Sequence, residues 1–104
     1  MNYIQVNIGR NISSTKVEMP LDDWEAFVRQ VKIILQASIR DPLAPVEIHY
    51  GVGVYDGVKE DSAHISMVAD VTPEDIEWIR GSLLELKKFY NQERIALITQ
   101  STLI

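Results

Sequence analysis

The two histidines are the side chains best suited to acid–base or metal chemistry, because the sequence contains no cysteine. The lack of cysteine excludes disulfides, thiol catalysis and zinc–thiolate sites. The sharpest candidate is a metal site formed by Glu47, His49 and Asp70, since two carboxylates and one histidine are an iron-type ligand set. The alternative is that both acids lie in water at strand ends and that His49 is an ordinary surface histidine.

Other chemistries find less support in the residue pattern. The sequence has no G-x-S-x-G segment, the turn that exposes a serine nucleophile in many hydrolases. The segment Gly51-Val52-Gly53 is too short for a phosphate-binding loop, and it lies within a predicted strand rather than before a helix. We therefore predict no catalytic residue and no cofactor.

Composition and charge limit the classes of partner. The 104 residues suit a single domain spanning 1–104, and 15 acidic against 10 basic residues give a net charge of -5. Because the basic residues are scattered, the chain should be repelled by a phosphate backbone, and we predict no nucleic-acid partner. No apolar run reaches the roughly 18 residues that a membrane span needs, and no signal peptide is visible, so we expect a cytoplasmic protein without a membrane partner.

The periodicity of apolar residues predicts the elements that position these side chains. Alternation predicts strands over residues 3–8, 46–55 and 62–71, and the composition of 94–104 suggests a last strand. Helical spacing follows two start signals, one at Asp22 with Glu25 in a capping box and one at Thr72 before Pro73. The order predicts an α+β, ferredoxin-like βαββαβ sandwich, with a four-stranded antiparallel sheet and two helices on one face.

The two central strands are predicted to form a hairpin. Pairing Asp56 with Asp61 across a four-residue turn matches every apolar residue of one strand with an apolar partner, and it buries Tyr50 and Val52 under the helices. In this register Asp70 lies opposite Glu47.

The same register separates the two histidines. It places His49 opposite Val68, four residues from His64, which is about 13 Å at the usual rise of a strand. The two histidines should therefore not share one ion.

The sheet face turned away from the helices is the predicted ligand or partner face. It carries Tyr3, Gln5, Asn7, His49, Gly51, Gly53, Tyr55, His64 and Ser66. Glycine inside a strand often marks the close approach of a ligand or another backbone, although it can also simply permit twist on a solvated face. A second candidate surface is a ridge of Trp78 and Phe89 on the second helix, which either contacts a partner or widens the buried face.

A resemblance at the N-terminus adds context. Residues 3–11, followed by Pro20 and the Asp22-Asp23-Trp24 helix start, resemble small uncharacterised proteins of bacteriophages that infect actinobacteria. The resemblance covers the first quarter of the chain and implies an accessory phage protein acting on a host or viral partner. The lack of a catalytic constellation, beside the two open surfaces, leads us to predict a non-enzymatic protein-interaction module.

A second copy of the chain is also an expected partner. A homodimer could form through the open sheet face, or through the C-terminal edge strand that ends in Leu103 and Ile104. The alternative function depends on such a dimer: a small-molecule binder or enzyme built as an α+β barrel, with two sheets facing each other across a pocket. That pocket would be lined by Tyr3, Asn7, His49, Tyr55 and His64.

Overall fold

The chain folds into four strands and two helices. The computed structural model describes residues 1–55 and 57–101, with only the backbone of Tyr55 and Ser101. The elements are β1 (Asn2–Gly9), α1 (Leu21–Ser38), β2 (Glu47–Tyr55), β3 (Val58–Ala69), α2 (Pro73–Phe89) and β4 (Ala96–Ser101). All neighbouring strands are antiparallel, in the order β2-β3-β1-β4. The predicted ferredoxin-like α+β architecture is confirmed.

The core lies between the helices and the two central strands. Ile4 and Val6 of β1 and Ile65 of β3 are completely buried, as is Phe27 of α1. Phe27 stacks on Tyr90, with 4.5 Å between ring centroids, and burial raises the pKa of the Tyr90 hydroxyl. Side chains of this size each contribute about 1.5–3 kcal/mol when fully buried, so this layer fixes which sheet face is left open.

The two helices begin differently. At α2, the Asp75 N–H donates to Thr72 Oγ1 at 3.1 Å and the Thr72 N–H donates to Asp75 Oδ2 at 2.9 Å, which is a complete capping box. Helix α1 instead begins at Leu21, directly after Pro20, and no side chain caps it. The predicted cap at Asp22 is therefore wrong, because this residue already lies in the first helical turn, where its charge favours the helix dipole.

The register of the β2–β3 hairpin differs from the prediction by four residues. Tyr55 pairs with Val58, and His49 pairs with His64. The two residues between Tyr55 and Val58 are Asp56, which lies outside the described residues, and Gly57, which has a φ of 78°. An Asp-Gly pair favours a two-residue hairpin loop, and this preference outweighs the matching of apolar partners. A four-residue shift preserves alternation, so each residue stays on the predicted face.

The shift leaves part of the hairpin uncovered. Tyr50, Val52 and Val54 are 64%, 65% and 64% exposed, although they share the helix-side face of β2 with the half-buried Ile48. The predicted burial of Tyr50 and Val52 is wrong, because the register pairs Val52 with Asp61 rather than with Ile65.

The loop between β1 and α1 is held against β3. Arg10 Nη1 lies 3.0 Å from Asp61 Oδ2, and Arg10 Nε donates to the Met19 carbonyl at 2.9 Å. The Arg10 side chain is only 15% exposed. One guanidinium thus joins both ends of the loop to the sheet.

The edges of the sheet are β2 and β4. Strand β4 ends at Ser101, and Leu103 and Ile104 of the predicted last strand lie outside the described residues. Among the described residues, no helix combines the length and apolar character needed to cross a membrane.

Candidate functional site

Both histidines lie on the open sheet face and face each other. His49 of β2 is the direct partner of His64 of β3, and His64 is also the partner of Asn7 of β1. Directly opposed residues of antiparallel strands have Cβ atoms about 4.5–5.5 Å apart. The predicted separation of about 13 Å between the histidines is therefore wrong. Asn7, His64 and His49 form one polar row across three strands.

A second polar row lies beside the first. Gln5 pairs with Ser66, and Ser66 pairs with Glu47. Ser66 is nearly buried even on the open face, because it lies on an interior strand between these longer side chains. The rows bring together most of the residues predicted for this face.

Hydrogen bonds along β1 order the amide side chains. The Tyr3 hydroxyl donates to Gln5 Oε1 at 2.6 Å, and Gln5 Nε2 donates to Asn7 Oδ1 at 2.7 Å. Because each bond fixes the orientation of the next group, the three side chains present a defined set of donors and acceptors. This row of side chains on β1 suits a ligand with its own polar groups.

The predicted metal ligands are not all brought together. Glu47 Oε2 lies 3.3 Å from His49 Nε2, and both side chains are mostly exposed. Asp70 instead follows the end of β3 and lies 3.6 Å from the terminal amine of Met1. The predicted pairing of Glu47 with Asp70 is wrong, because Glu47 pairs with Ser66, four residues away. Nowhere in residues 1–55 and 57–101 do three or more His, Cys, Asp or Glu side chains form a group that could hold a metal.

The two strand glycines lie beside the histidines and leave a depression. Gly51 pairs with Ser62 and Gly53 pairs with Glu60. The depression lies along β2, has a volume of about 330 Å³, and is lined by His49, Gly51, Gly53, Ser62 and His64 of the open face together with Tyr50 and Val52, which alternate with them along the strand. A Cβ built on Gly51 would lie 3.6 Å from Ser62 Oγ, an ordinary contact. Packing against Ser62 therefore does not require glycine at position 51. The missing side chain leaves the depression open.

Three predicted residues, Tyr55, Trp78 and Phe89, lie outside the two polar rows. Tyr55 occupies the last position of β2, where it pairs with Val58. Trp78 and Phe89 of α2 are 49% and 80% exposed, about 16 Å apart along the helix. Because α2 packs on the opposite side of the sheet, they cannot act together with the histidines.

A groove between α2 and β4 was not predicted. It has a volume of about 280 Å³ and is lined by Arg80, Leu83, Leu84, Lys87, Arg94, Ile95 and Leu97. The spacing of Arg80, Leu84 and Lys87 puts them on one side of a helix, which is a signal that the sequence contained. Arg94 and the strand residues join them only through the fold.

The chain matches no protein-family model and no curated protein sequence. Among solved structures, it is similar to a phage SAM lyase in the apo state, with 21% identity and a TM-score of 0.69 over 95% of this chain and 78% of that one. It is also similar to a phage SAM lyase in complex with S-methyl-5'-thioadenosine, with 20% identity and a TM-score of 0.60 over 95% of this chain and 79% of that one. At this level of identity, the similarity establishes the fold.

The comparison corrects one prediction and supports part of another. The structural neighbours are an enzyme, once with a small molecule bound, and they contradict the prediction of a non-enzymatic interaction module. They favour the alternative, a small-molecule binder or enzyme. Both are phage proteins, in agreement with the phage part of the N-terminal resemblance, whereas the actinobacterial host stays a prediction.

Proposed function

We propose that this protein is an enzyme that cleaves S-adenosylmethionine (SAM) to S-methyl-5'-thioadenosine, and that its site is the depression on the open sheet face. The observation that carries the proposal is the similarity, over 95% of the chain, to structures of a phage SAM lyase, one of them holding that nucleoside. Because one fold can host many activities, the site residues must also suit the substrate.

The proposed reaction requires little nucleophilic or acid–base chemistry from protein side chains. The sulfur of SAM is a sulfonium cation, and breaking its bond to the aminobutyrate arm leaves the electron pair on sulfur as a neutral thioether. Without water, the carbon that loses sulfur gains a bond from within the substrate, either to the substrate's own carboxylate or as a double bond after loss of a proton. Holding the substrate in a reactive shape is then the main contribution of the enzyme.

The charge of the chain suits a cationic substrate. Its net charge is -5, which favours the approach of a cation, and Glu47 places a carboxylate beside His49 at the open face. The ordered amides of Gln5 and Asn7 can meet the polar edges of an adenosine.

The volume of the depression is also compatible with a small-molecule site. Its volume of about 330 Å³ lies at the lower end of the range of about 300–1,000 Å³ for small-molecule sites. The glycines at 51 and 53 allow a flat ring to approach the strand backbone.

The cellular compartment follows from the proposed substrate. SAM is a cytoplasmic metabolite, so we place the enzyme in the cytoplasm. The N-terminal resemblance extends the proposal to a phage of an actinobacterial host.

The proposal is tested by incubating the purified chain with SAM and following nucleoside products by liquid chromatography and mass spectrometry. S-methyl-5'-thioadenosine should accumulate as SAM disappears, with a co-product one water lighter than homoserine. S-adenosylhomocysteine, which has a neutral thioether in place of the sulfonium, should not be cleaved. Cleavage no faster than in a buffer blank would overturn the proposal, and homoserine as the initial product would indicate a hydrolase instead.

A further inference from the structure

Three side chains of β1 form a hydrogen-bonded row that has a direction. The Tyr3 hydroxyl donates to Gln5 Oε1 at 2.6 Å, and Gln5 Nε2 donates to Asn7 Oδ1 at 2.7 Å. A phenol is a better donor than acceptor, so the Tyr3 hydroxyl holds the oxygen of the Gln5 amide towards itself. The Gln5 nitrogen then turns to Asn7, and each amide in the row takes a single orientation.

Asn7 ends this row with a donor that no other side chain takes up. Its Oδ1 accepts from Gln5, whereas its Nδ2 donates to no group within residues 1–55 and 57–101. The strand partners of Asn7 are His64 on β3 and Ala96 on β4, and the small side chain of Ala96 leaves the amide accessible. Asn7 therefore presents N–H groups to a ligand on the open face.

The Asn7 amide lies within reach of a nucleoside seated in the depression. His64 lines the depression and is the direct partner of Asn7, and β2 and β1 are two strand spacings apart, about 10 Å. A nucleoside whose sugar and sulfur lie along β2, beside Glu47, extends its base over His64 towards β1. The purine edge farthest from the sugar, which carries N1 and the 6-substituent, then faces Asn7.

We propose that Asn7 recognises adenine at N1, and that Tyr3 is a positioning residue that sets the orientation of the Asn7 amide through Gln5. This inference rests on the proposed function, since it starts from an adenosine on the open face. Adenine N1 is an acceptor and receives the Nδ2–H of Asn7. Hypoxanthine carries a hydrogen on N1, so its base would bring one donor against another. A site that leaves a polar group without its partner rejects such an analogue.

The test compares two nucleosides that differ at this edge, S-methyl-5'-thioadenosine and S-methyl-5'-thioinosine. Isothermal titration gives the Kd of each. The unaltered chain should bind the adenine compound at least about tenfold more tightly. Tyr3→Phe removes the hydroxyl that sets the row, and about fivefold of this preference should be lost, the effect of one neutral hydrogen bond.

Gln5→Glu should invert the preference. A carboxylate at position 5 only accepts, so it takes the Nδ2–H of Asn7 and turns Asn7 Oδ1 towards the ligand, where it can accept the N1–H of hypoxanthine. The matched control is Gln30→Glu, which makes the same change at an exposed position of α1 and should leave the ratio of the two Kd values unchanged. Circular dichroism verifies the folding of each variant, and unfolding cannot produce an inversion.

The outcomes separate this inference from the proposed reaction. Equal affinity for the two nucleosides, or binding of neither, would overturn the reading of N1 even if the chain cleaves SAM. A Gln5→Glu variant that weakens both compounds equally would overturn it as well, and full preference in Tyr3→Phe would remove the positioning role of Tyr3. A preference for adenine in a chain that does not cleave SAM would support recognition by Asn7 and overturn the proposed reaction.

Discussion

His49 of β2 lies directly opposite His64 of β3, and both side chains are exposed on the open face of the sheet. Both also line the depression beside Gly51 and Gly53. A ligand seated there contacts imidazoles from two strands, so its position depends on the hairpin register.

Replacing either histidine by alanine should weaken substrate binding. His49→Ala and His64→Ala each remove one polar contact, worth about 1 kcal/mol or roughly a fivefold change in Kd for SAM. Both residues are exposed, so the free energy of unfolding should stay within about 0.5 kcal/mol of the unaltered chain. Because the active chain would consume SAM, the loss of affinity is followed as a rise in KM for SAM cleavage, and chemical denaturation measures the change in stability. Unchanged SAM affinity in both variants would place the substrate elsewhere.

Filling the depression should reduce activity without unfolding the sheet. A Cβ at position 51 makes only an ordinary contact with Ser62, but the longer side chain of Gly51→Leu would extend into the space where we place the substrate. We expect at least a tenfold rise in KM for SAM, the equivalent of about 1.4 kcal/mol. The control is Gly81→Ala in α2, where a Cβ meets no atom within 4 Å. It should stabilise the helix by about 1 kcal/mol and leave KM unchanged.

The guanidinium of Arg10 should be needed for stability. Arg10→Ala removes charge-assisted hydrogen bonds to Asp61 and to the Met19 carbonyl, at a cost of about 1.5–3 kcal/mol. Arg10→Lys should rescue little of this, because an ammonium group cannot reach both acceptors in the geometry of a guanidinium. Lys16→Ala, which breaks an exposed ion pair with Glu93, should cost less than about 1 kcal/mol. Urea denaturation compares the three, and equal losses for Arg10→Ala and Lys16→Ala would contradict the prediction.

The capping box of α2 should make stability depend on pH in the acid range. The backbone N–H of Thr72, which donates to the carboxylate, holds the pKa of Asp75 below its ordinary value of 3.8. The depressed pKa adds stability above the ordinary value, and this contribution is lost as the pH falls through the folded-state pKa. Asp75→Ala should therefore be less stable than the unaltered chain at neutral pH, with the gap narrowing below pH 3.8.

Thermal unfolding across that pH range measures the gap. Thr72→Ala, which removes the hydroxyl acceptor, should cost about 1 kcal/mol at neutral pH. A gap for Asp75→Ala that stays constant on acidification would show that the charge of this carboxylate does not contribute.

The sequence predicts the faces of the sheet well and the alignment of its strands poorly. Alternation of apolar residues assigns His49 and His64 to the open face, because alternation survives any shift by an even number of residues. It does not choose between such shifts. The choice here follows the two-residue Asp-Gly loop rather than the pairing of Val52 with Ile65, and Tyr50 is left exposed as a result.

The members of the open sheet face could be predicted, but not their arrangement. The open face with its two glycines is visible in the alternating pattern, whereas the opposition of His49 and His64 depends on the turn. The groove beneath α2 depends on long-range contacts that bring Arg94 to Lys87, and local spacing does not contain them. An enzyme was only the alternative prediction, because no sequence motif marks a reaction.

The interior position of β1 governs the order in which the chain can fold. Its two neighbours in the sheet, β3 and β4, are both synthesised after it, and Asn2 pairs with Ala69 on one side and with Ser101 on the other. During translation, β1 therefore stays unpaired on both edges until β3 has left the ribosome, and on one edge until β4 has followed. Distant pairings of this kind slow folding. Nascent chains that stop before β4 should consequently be more exposed to proteases and to aggregation than the finished protein.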